Sequence, residues 1–459
     1  MIRLVIKNGI VVTEDGAFVQ DVLIHDGVIA QIGQNLSDAD VIDAVGKYVL
    51  PGGIDVHTHM ALDVGIAIAQ DDFYTGTVAA ACGGTTTIVD HPAFGPKGCG
   101  LEYQINRYHT LAGGRAVIDY SFHGVVQHVD EDVLAKMETL AAEGITSYKI
   151  YMTYDYKIND GDIYTILKRA KELGVFIAVH PENDGVVTKR RQELPAEGHT
   201  QPIYHERSRP VECEAEAANR VMQISKLAGD APLYLVHISN RLAMEYIGMA
   251  KQHGLANVYV ETCPQYLALD ESAYLREDGI KFILSPPLRD KKNNALLWED
   301  IQNGRIDTVA TDHCPFDYAL KQKLGGADFT KCPNGLSGVE LRMPLLFSEG
   351  VLKERIAPGR FAKLTATNPA KLFGLYPKKG AIRVGADADI MIMDPGRQHT
   401  ITHADLHENV DHTPYEGIEL LCAVDTVLSR GDVIVQNNEY IGAKARGQFI
   451  RRNKPMLDL

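Results

Sequence analysis

The stretch PGGIDVHTH, from Pro51 to His59, decides how the middle of this sequence folds. After Pro-Gly-Gly the chain enters a short apolar strand that ends in two histidines, His57 and His59. Because side chains alternate along a strand, both imidazoles point to the same side. Such a pair can chelate a metal ion, although a lone pair of this kind is more often buried and hydrogen-bonded without one. The sequence that follows decides between the two interpretations.

Downstream of His59 the sequence alternates strands with helices, a pattern typical of parallel βα units. The predicted strands are Gly53–His59, Thr85–Asp90, Ala116–Phe122, Thr146–Met152, Phe176–His180, Leu233–His237, Val258–Glu261 and Thr308–Asp312. Helical periodicity is clearest in Asp160–Leu173, which Gly174 terminates, and it recurs in Glu212–Leu227 and Asn240–His253. Eight such units across residues 51–375 predict a (β/α)8 TIM barrel. A doubly wound open sheet is the alternative, but no GxGxxG or GxxxxGK[ST] motif follows the first strand to support its nucleotide-binding form.

The two ends of the sequence share a pattern that differs from that of the middle. Short apolar or alternating runs between Leu4 and Ile42 are broken at Asn-Gly and Asp-Gly pairs, which are typical of hairpins. The same pattern returns after residue 380. We therefore expect residues 1–50 and 376–459 to pair into one small β-sandwich domain beside the barrel.

The composition excludes several classes of function. Hydrophobic residues make up 45% of the 459 residues and charged residues 23%, as in a globular protein with a large core. The net charge of −14 argues against a nucleic-acid partner, because phosphate-binding surfaces need clustered Lys and Arg. No run of about 18 apolar residues appears, so we expect no membrane span. The seven cysteines form no CxxC pair, which favours a reducing, cytoplasmic location.

Residues that can bind a metal ion or move a proton stand at the carboxyl end of nearly every predicted strand. They are His57, His59, Asp90, His91, His123, Lys149, His180, His237, Glu261, Asp312 and His313. In a (β/α)8 barrel these strand ends meet at one mouth, where catalytic groups lie. Nitrogen and oxygen ligands without thiolates suit zinc, and also manganese, iron, cobalt or nickel. For His123 and His313 we expect ordinary buried or supporting roles.

Lys149 lies in an otherwise apolar strand, where an ammonium group is costly unless it is paired or chemically changed. Burial and nearby cations would lower its pKa and free the amine. The neutral amine could then take up carbon dioxide and form a carbamate whose two oxygens bridge two divalent ions. The alternative is a lysine at the strand end that extends its ammonium group to solvent.

The motifs as a set resemble the amidohydrolase superfamily and, within it, the hydantoinase and dihydropyrimidinase family. The resemblance covers essentially the whole chain. Besides PGGIDVHTH, the motifs are GITSYKIYMTY (144–154), VHPEN (179–183), LVHIS (235–239), ETCPQYL (261–267), SPPLR (285–289), ATDHCPF (310–316) and CPNGLSGVE (332–340), in the family's order. Several stretches, among them YSFHGVVQH (120–128) and SRPVECEAEA (208–217), resemble the bacterial D-phenylhydantoinase branch more closely. Met60 and Pro181 depart from the wider family's pattern.

The resemblance implies a role for each motif residue. His57 and His59, with Lys149 and Asp312, would hold one divalent metal ion. His180 and His237 would hold a second ion, also through Lys149 carrying a carboxyl group (N6-carboxylysine). Tyr154 would stabilise an oxyanion, and the backbone groups of Ser285 and Asn334 would hold the amide edge of a cyclic diamide. Asp312 would transfer the proton.

The implied activity is hydrolytic ring opening of 5-substituted hydantoins, with aryl or alkyl substituents in the D series, to N-carbamoyl amino acids. We expect Met60, Leu62, Phe94, Tyr151 and Tyr156 to contact the substituent. A dihydropyrimidinase is the nearest alternative, and an allantoinase is a weaker one because of Tyr154. A purine or pyrimidine deaminase would fit the fold alone.

An alternative of a different class is a catalytically silent family member that serves as an assembly protein. Such a protein is expected to lack metal ligands, whereas all six are present here. The resemblance also implies a homotetramer, with the C-terminal tail at residues 447–455 reaching a neighbouring subunit.

Overall fold

Five strands open the chain in the computed structural model, which describes residues 3–13, 15–38 and 40–459. They are β1 (Arg3–Thr13), β2 (Gly16–His25), β3 (Val28–Gly33), β4 (Asp40–Asp43) and β5 (Tyr48–Pro51). Residues 1, 2, 14 and 39 of the predicted segment 1–50 lie outside the described residues. The Asp26-Gly27 pair that suggested a hairpin joins β2 to β3, and both its residues have a positive φ, as that tight turn requires.

The next strands are parallel and form the barrel. They are β6 (Gly53–Thr58), β7 (Thr85–Asp90), β8 (Asp119–Phe122), β9 (Gly124–Val125), β10 (Ser147–Tyr151), β11 (Phe176–His180), β12 (Leu233–Leu235), β13 (Val258–Thr262) and β14 (Thr308–Val309). Only His123 separates β8 from β9, so together they are the third of eight barrel strands. Past β14 the chain closes the barrel on β6, because the Asp312 amide donates to the His57 carbonyl at 2.8 Å. The predicted (β/α)8 barrel is confirmed.

The helices surround this barrel. They are α1 (Thr75–Cys82), α2 (Glu102–Ala112), α3 (Glu131–Ala142), α4 (Asp160–Leu173), α5 (Asp184–Ala196), α6 (Ile203–Ser208), α7 (Val211–Leu227), α8 (Arg241–Gln252), α9 (Pro264–Ala268), α10 (Lys291–Gln302), α11 (Tyr318–Gly325), α12 (Arg342–Leu346), α13 (Pro358–Ala362) and α14 (Asn368–Leu372). The helix predicted from periodicity, α4, begins where the Asn159 side chain accepts from the Asp162 amide and ends at Gly174, whose φ is 67°. None of the described helices is both long and apolar enough to cross a membrane.

The two ends of the chain share one nine-stranded sheet. Its C-terminal strands are β15 (Ile390–Asp394), β18 (Ala423–Ser429), β19 (Asp432–Gln436) and β20 (Glu439–Tyr440). The strands β16 (His399–Thr400) and β17 (Glu419–Leu420) pair with each other as a separate two-stranded sheet. The sheet order is β20-β19-β18-β15-β5-β1-β2-β3, with β4 beside β1. At its edge β3 bonds back to the segment before β15, since the Ile29 amide donates to the Ala386 carbonyl at 2.9 Å. The sheet therefore curls over an apolar core as a sandwich, whereas the domain limits 1–50, 51–375 and 376–459 remain a prediction.

The C-terminal tail packs along the barrel of its own chain. The contact of residues 447–455 with a neighbouring subunit stays a prediction. The Gly447 amide donates to the Ala116 carbonyl, and the Ile450 amide donates to the Tyr120 carbonyl. Arg452 is 3% exposed, and its guanidinium donates to the Phe122 carbonyl at 2.6 Å. The tail therefore covers the end of the barrel at which its strands begin.

A buried cluster of charges joins the barrel to the sandwich. The Lys379 ammonium lies 2.8 Å from Asp119 on β8, 3.1 Å from Asp387 and 2.6 Å from Asp389. Arg430 also contacts Asp119. Because the lysine side chain is almost fully buried, these three carboxylates would lose most of their compensating charge without it.

We expect Lys379→Met to lower the free energy of unfolding by about 3–5 kcal/mol, because it leaves buried carboxylates uncompensated. Urea denaturation followed by circular dichroism measures the loss. The matched control is Lys378→Met, whose side chain is 63% exposed and reaches Asp387 only at 4.0 Å; it should change stability by less than about 1 kcal/mol. Equal stability of the two variants would contradict a structural role for the buried cluster.

Candidate active site

The six predicted metal ligands converge on one cavity at the mouth of the barrel. All of them, His57, His59, Lys149, His180, His237 and Asp312, line a cavity of about 960 Å³. Five of them stand within three residues of the carboxyl end of a barrel strand, and Lys149 lies in the middle of β10, so all six point into the same space. The convergence predicted from the strand ends is therefore present.

The first group of ligand atoms surrounds the Asp312 carboxylate. The Nε2 atoms of His57 and His59 lie 3.1 and 3.0 Å from Asp312 Oδ1, and the three ligand atoms lie within 4.8 Å of one another. Glu261 accepts from His57 Nδ1 at 2.6 Å, which leaves Nε2 directed at the cavity. A carboxylate behind an imidazole fixes its orientation and tautomer, as is typical of metal-binding histidines.

The second group consists of the two remaining histidines. His180 Nδ1 and His237 Nε2 face each other at 2.9 Å. The other ring nitrogen of His180 contacts Glu182 at 2.7 Å, and Arg209 in turn binds that carboxylate. His180 is therefore held from behind in the same way as His57.

Lys149 lies between these two groups and is 1% exposed. Its Nζ has no hydrogen-bond partner among the residues that the structure describes. Burial lowers the pKa of Lys149 to about 8, against the opposing effect of Asp312 and Glu261. The neutral amine is therefore accessible near physiological pH, so the position does not behave as a lysine extended to solvent.

The electrostatics of the first group favour a bound cation. Burial would lower the pKa of His57, yet Glu261 and Asp312 outweigh it and raise that pKa to about 9. For Asp312 burial acts upward, but the neighbouring His57 and His59 hold its pKa well below the ordinary value. Positive charge is therefore stabilised where the ligand atoms meet. Imidazole nitrogens and a carboxylate at this spacing fit a divalent metal ion.

Three residues at the cavity have a strained backbone. His237, Asp312 and Tyr154 are not glycines, yet their φ angles are 42°, 56° and 74°. Hydrogen bonds hold two of them, since the Asp312 amide donates to the His57 carbonyl and the His237 amide to Glu261. Such conformations persist where the surroundings enforce them, and they are concentrated at functional sites.

One wall of the cavity carries Tyr154, Ser285 and Asn334, the three residues predicted to bind substrate. Asn334 Nδ2 donates to Ser285 Oγ at 3.1 Å. The Arg209 guanidinium lies 5.7 Å from the centre of the Tyr154 ring. Burial raises the pKa of Tyr154 to about 12 although Arg209 opposes it, so the phenol stays protonated and can donate.

An aromatic group lies elsewhere on the cavity surface. The Phe94 ring packs 5.0 Å from Tyr151 and 4.6 Å from Tyr156, and Leu62 also lines the cavity. Met60 does not belong to this group, contrary to our prediction. It is fully buried, and its sulfur packs against Gly76 of α1 in the core.

The model of the amidohydrolase family matches residues 48–434. The chain belongs to the amidohydrolase family. It is 51% identical over 458 residues to a D-phenylhydantoinase of Escherichia coli O81 (strain ED1a), with 99% of each chain covered. The structure of a dihydropyrimidinase from Brevibacillus agri NCHU1002 is similar with a TM-score of 0.96 at 45% identity, over 99% of each chain. The structure of a D-hydantoinase from a Bacillus sp. AR9 is also similar, with a TM-score of 0.95 at 44% identity, over 98% of this chain and 99% of the other.

Two further histidines of this amidohydrolase lie next to the predicted metal ligands and contact other groups. His123 contacts the Val56 carbonyl and the Ser147 hydroxyl. His313 contacts Asp71 at 3.0 Å and accepts from the Gly338 amide. Both support the strands and loops of the mouth, as we expected for them.

Sequence reasoning gave no role to Glu182 and Glu261, which orient ligand histidines. The signal was available for Glu182, which stands two residues after His180, a spacing that lets a side chain return to the same side. Glu261 was noted at the end of its strand, but its contact with His57 joins residues 204 apart. Arg209 lies in the motif SRPVECEAEA, but its contact with Glu182 joins residues 27 apart.

A buried lysine of this amidohydrolase supports the cavity wall that carries Ser285 and Asn334. Lys321 on α11 is 0% exposed, and its ammonium donates to the carbonyls of Lys281, Ile283 and Gly335 at 2.9, 3.0 and 2.6 Å. The first two carbonyls precede Ser285, and the third follows Asn334 directly. All three donors of the ammonium are thus used to fasten two segments together.

We expect Lys321→Met to lower kcat/KM for a cyclic diamide by roughly 10–100-fold, mainly through a higher KM, because the wall shifts while the metal ligands do not. Steady-state kinetics and metal content measure both. The control Lys323→Met changes an exposed lysine of the same helix and should leave both unchanged. A folded Lys321→Met protein with an unaltered KM would rule out this supporting role.

Proposed function

We propose that this amidohydrolase opens 5-substituted hydantoins by hydrolysis and releases N-carbamoyl amino acids. The observation that carries the proposal is the convergence of His57, His59, Lys149, His180, His237 and Asp312 on one cavity that Tyr154 also lines. The full-length identity of 51% to a D-phenylhydantoinase supports the substrate class.

We propose two divalent metal ions per chain, with zinc as the first choice and manganese, iron, cobalt or nickel as alternatives. His57 and His59 would hold one ion and His180 and His237 the other. Asp312 would complete the first group, and Lys149 as N6-carboxylysine would contact both ions. The unpartnered, buried Nζ and its lowered pKa support that modification. When bound, such ions acidify water and polarise a carbonyl group.

The residues of the chain would then divide the chemistry between them. The Asp312 carboxylate accepts the proton of the attacking water and returns it to the departing ring nitrogen. The Tyr154 hydroxyl, protonated at neutral pH, donates to the carbonyl oxygen as negative charge develops on it. Ser285 and Asn334, coupled by a hydrogen bond, hold the amide edge of the ring through their backbone groups.

The apolar surface formed by Leu62, Phe94, Tyr151 and Tyr156 supports an aryl or alkyl substituent, although aromatic side chains at a barrel mouth also serve packing. Dihydropyrimidinase activity is the second candidate, supported by the similarity to the Brevibacillus agri enzyme. The silent assembly protein finds no support, because the complete set of ligand residues converges on the cavity. A homotetramer and a cytoplasmic location remain predictions.

The test combines metal content with two substrates. Protein purified without chelators should contain about two ions per chain by plasma mass spectrometry, and it should hydrolyse 5-phenylhydantoin faster than dihydrouracil. A faster reaction with dihydrouracil would favour the second candidate. Folded protein that hydrolyses neither ring after incubation with zinc and bicarbonate would overturn the proposed function.

A further inference from the structure

A second cluster of metal-binding side chains lies outside the cavity. It consists of Cys82 at the end of α1, Glu340 just before α12, and His407 far along the chain, and their ligand atoms lie within 4.8 Å of one another. Within the described part of the chain, only one other group of His, Cys, Asp and Glu has this spacing, namely His57, His59 and Asp312. The second cluster therefore has ligand atoms as close together as those of the predicted metal site at the barrel mouth.

The hydrogen bonds of the two groups are also similar. At the mouth, imidazole nitrogens contact the Asp312 carboxylate at 3.0–3.1 Å. In the second cluster, His407 Nδ1 contacts Glu340 Oε1 at 2.8 Å, and the His407 amide donates to Oε2 at 2.7 Å. An imidazole and a carboxylate are thus held in place side by side.

Cys82 supplies the third group. It is 2% exposed and is a free thiol. Burial and the Glu340 carboxylate raise the pKa of this thiol. A cation bound here would compensate both the carboxylate and a thiolate that the protein alone disfavours.

A cavity of about 380 Å³ adjoins the cluster and is lined by Cys82 and Glu340. Thr402, Asp405 and Asn438 also line it. An ion held by three protein ligands keeps a fourth position for water, and this cavity supplies both the space and a route of entry.

We propose that Cys82, Glu340 and His407 form a binding site for one divalent cation of the zinc type, separate from the ring-opening site. Sulfur, nitrogen and oxygen ligands together favour Zn²⁺ or Co²⁺ over Mg²⁺ or Ca²⁺, which prefer oxygen alone. On binding, the Cys82 thiol releases its proton to solvent as the sulfur–metal bond forms. The ion joins the end of α1 to the segment around His407, and its role is structural.

The test is a Co²⁺ titration of enzyme from which a chelator has removed all bound metal, followed by absorption spectroscopy. Because the six ligands at the barrel mouth include no thiolate, a sulfur-to-cobalt charge-transfer band reports the new site alone. We expect one Co²⁺ per chain with this band, and a larger rise in melting temperature on addition of Co²⁺ than Cys82→Ser shows. Cys82→Ser should abolish the band and weaken binding by at least roughly tenfold, while ring opening stays unchanged.

The control variant is Cys422→Ser, which changes another buried free thiol outside the cluster and should keep the band. His407→Gln provides a second variant at a more exposed ligand and should weaken Co²⁺ binding similarly. The proposal is overturned if wild-type enzyme shows no band, or if the band persists in Cys82→Ser.

Discussion

Asp312→Asn should lower kcat/KM for 5-phenylhydantoin by about 10⁴-fold, the upper end of what a positioned acid–base group contributes. The Asp312 carboxylate contacts His57 and His59 and lines the cavity, and its lowered pKa keeps it ionised. Asparagine keeps the shape of the side chain but cannot accept the proton of the attacking water. Steady-state kinetics measures the loss, and the metal content of the same sample reports how far the substitution weakens binding of the first proposed ion.

The matched control is Asp155→Asn, which changes an exposed carboxylate at the rim of the same cavity. We expect its kcat/KM to stay within about twofold of wild type, because a surface charge change of this kind contributes little. An Asp312→Asn enzyme that retains a tenth of the wild-type rate would rule out Asp312 as the proton-transfer group.

Tyr154→Phe should lower kcat by about 10²–10³-fold, the usual effect of removing one donor to a developing oxyanion. The substitution removes only the hydroxyl group, so the packing of the ring beside His180 and Arg209 should be kept. Metal content should not change, because the phenol is not among the proposed ligands. Measured kcat and metal stoichiometry on one preparation separate the two effects.

Tyr156→Phe is the control, since it removes a hydroxyl from the same loop whose hydrogen bond to the Gly95 carbonyl is long, at 3.4 Å. We expect its kcat to remain close to that of wild type. If Tyr154→Phe also turns over at the wild-type rate, the oxyanion must be stabilised by other groups.

The parts of the fold that depend on local periodicity could be predicted from the sequence. Strands Thr85–Asp90 and Phe176–His180 and helix Asp160–Leu173 have the predicted limits, because their apolar pattern and terminating residues lie within the segment itself. The strand predicted as Thr308–Asp312 ends at Val309 instead. Asp312 has a φ of 56°, so its backbone has left the strand conformation, and no local pattern encodes this.

Only those residues of the candidate site that residue type and strand position identify could be predicted from the sequence. Candidate ligands at strand ends could be predicted from the sequence because a barrel brings those ends together. Glu261 behind His57, and Lys321 behind Ser285 and Asn334, depend on contacts between distant segments. Met60 was placed wrongly because adjacency to His59 in sequence says nothing about which side of the mouth a side chain enters; it packs into the core.

The docking of the C-terminal tail affects how long the base of the barrel stays exposed during synthesis. Residues 447–457 cover the base of the barrel, and the Leu457 carbonyl accepts from Tyr259 at 2.6 Å. On the ribosome this segment emerges after every strand of the barrel has been made. The nascent barrel therefore stays uncapped until residues 447–457 have been made, and a chain that lacks them would keep its barrel strands exposed.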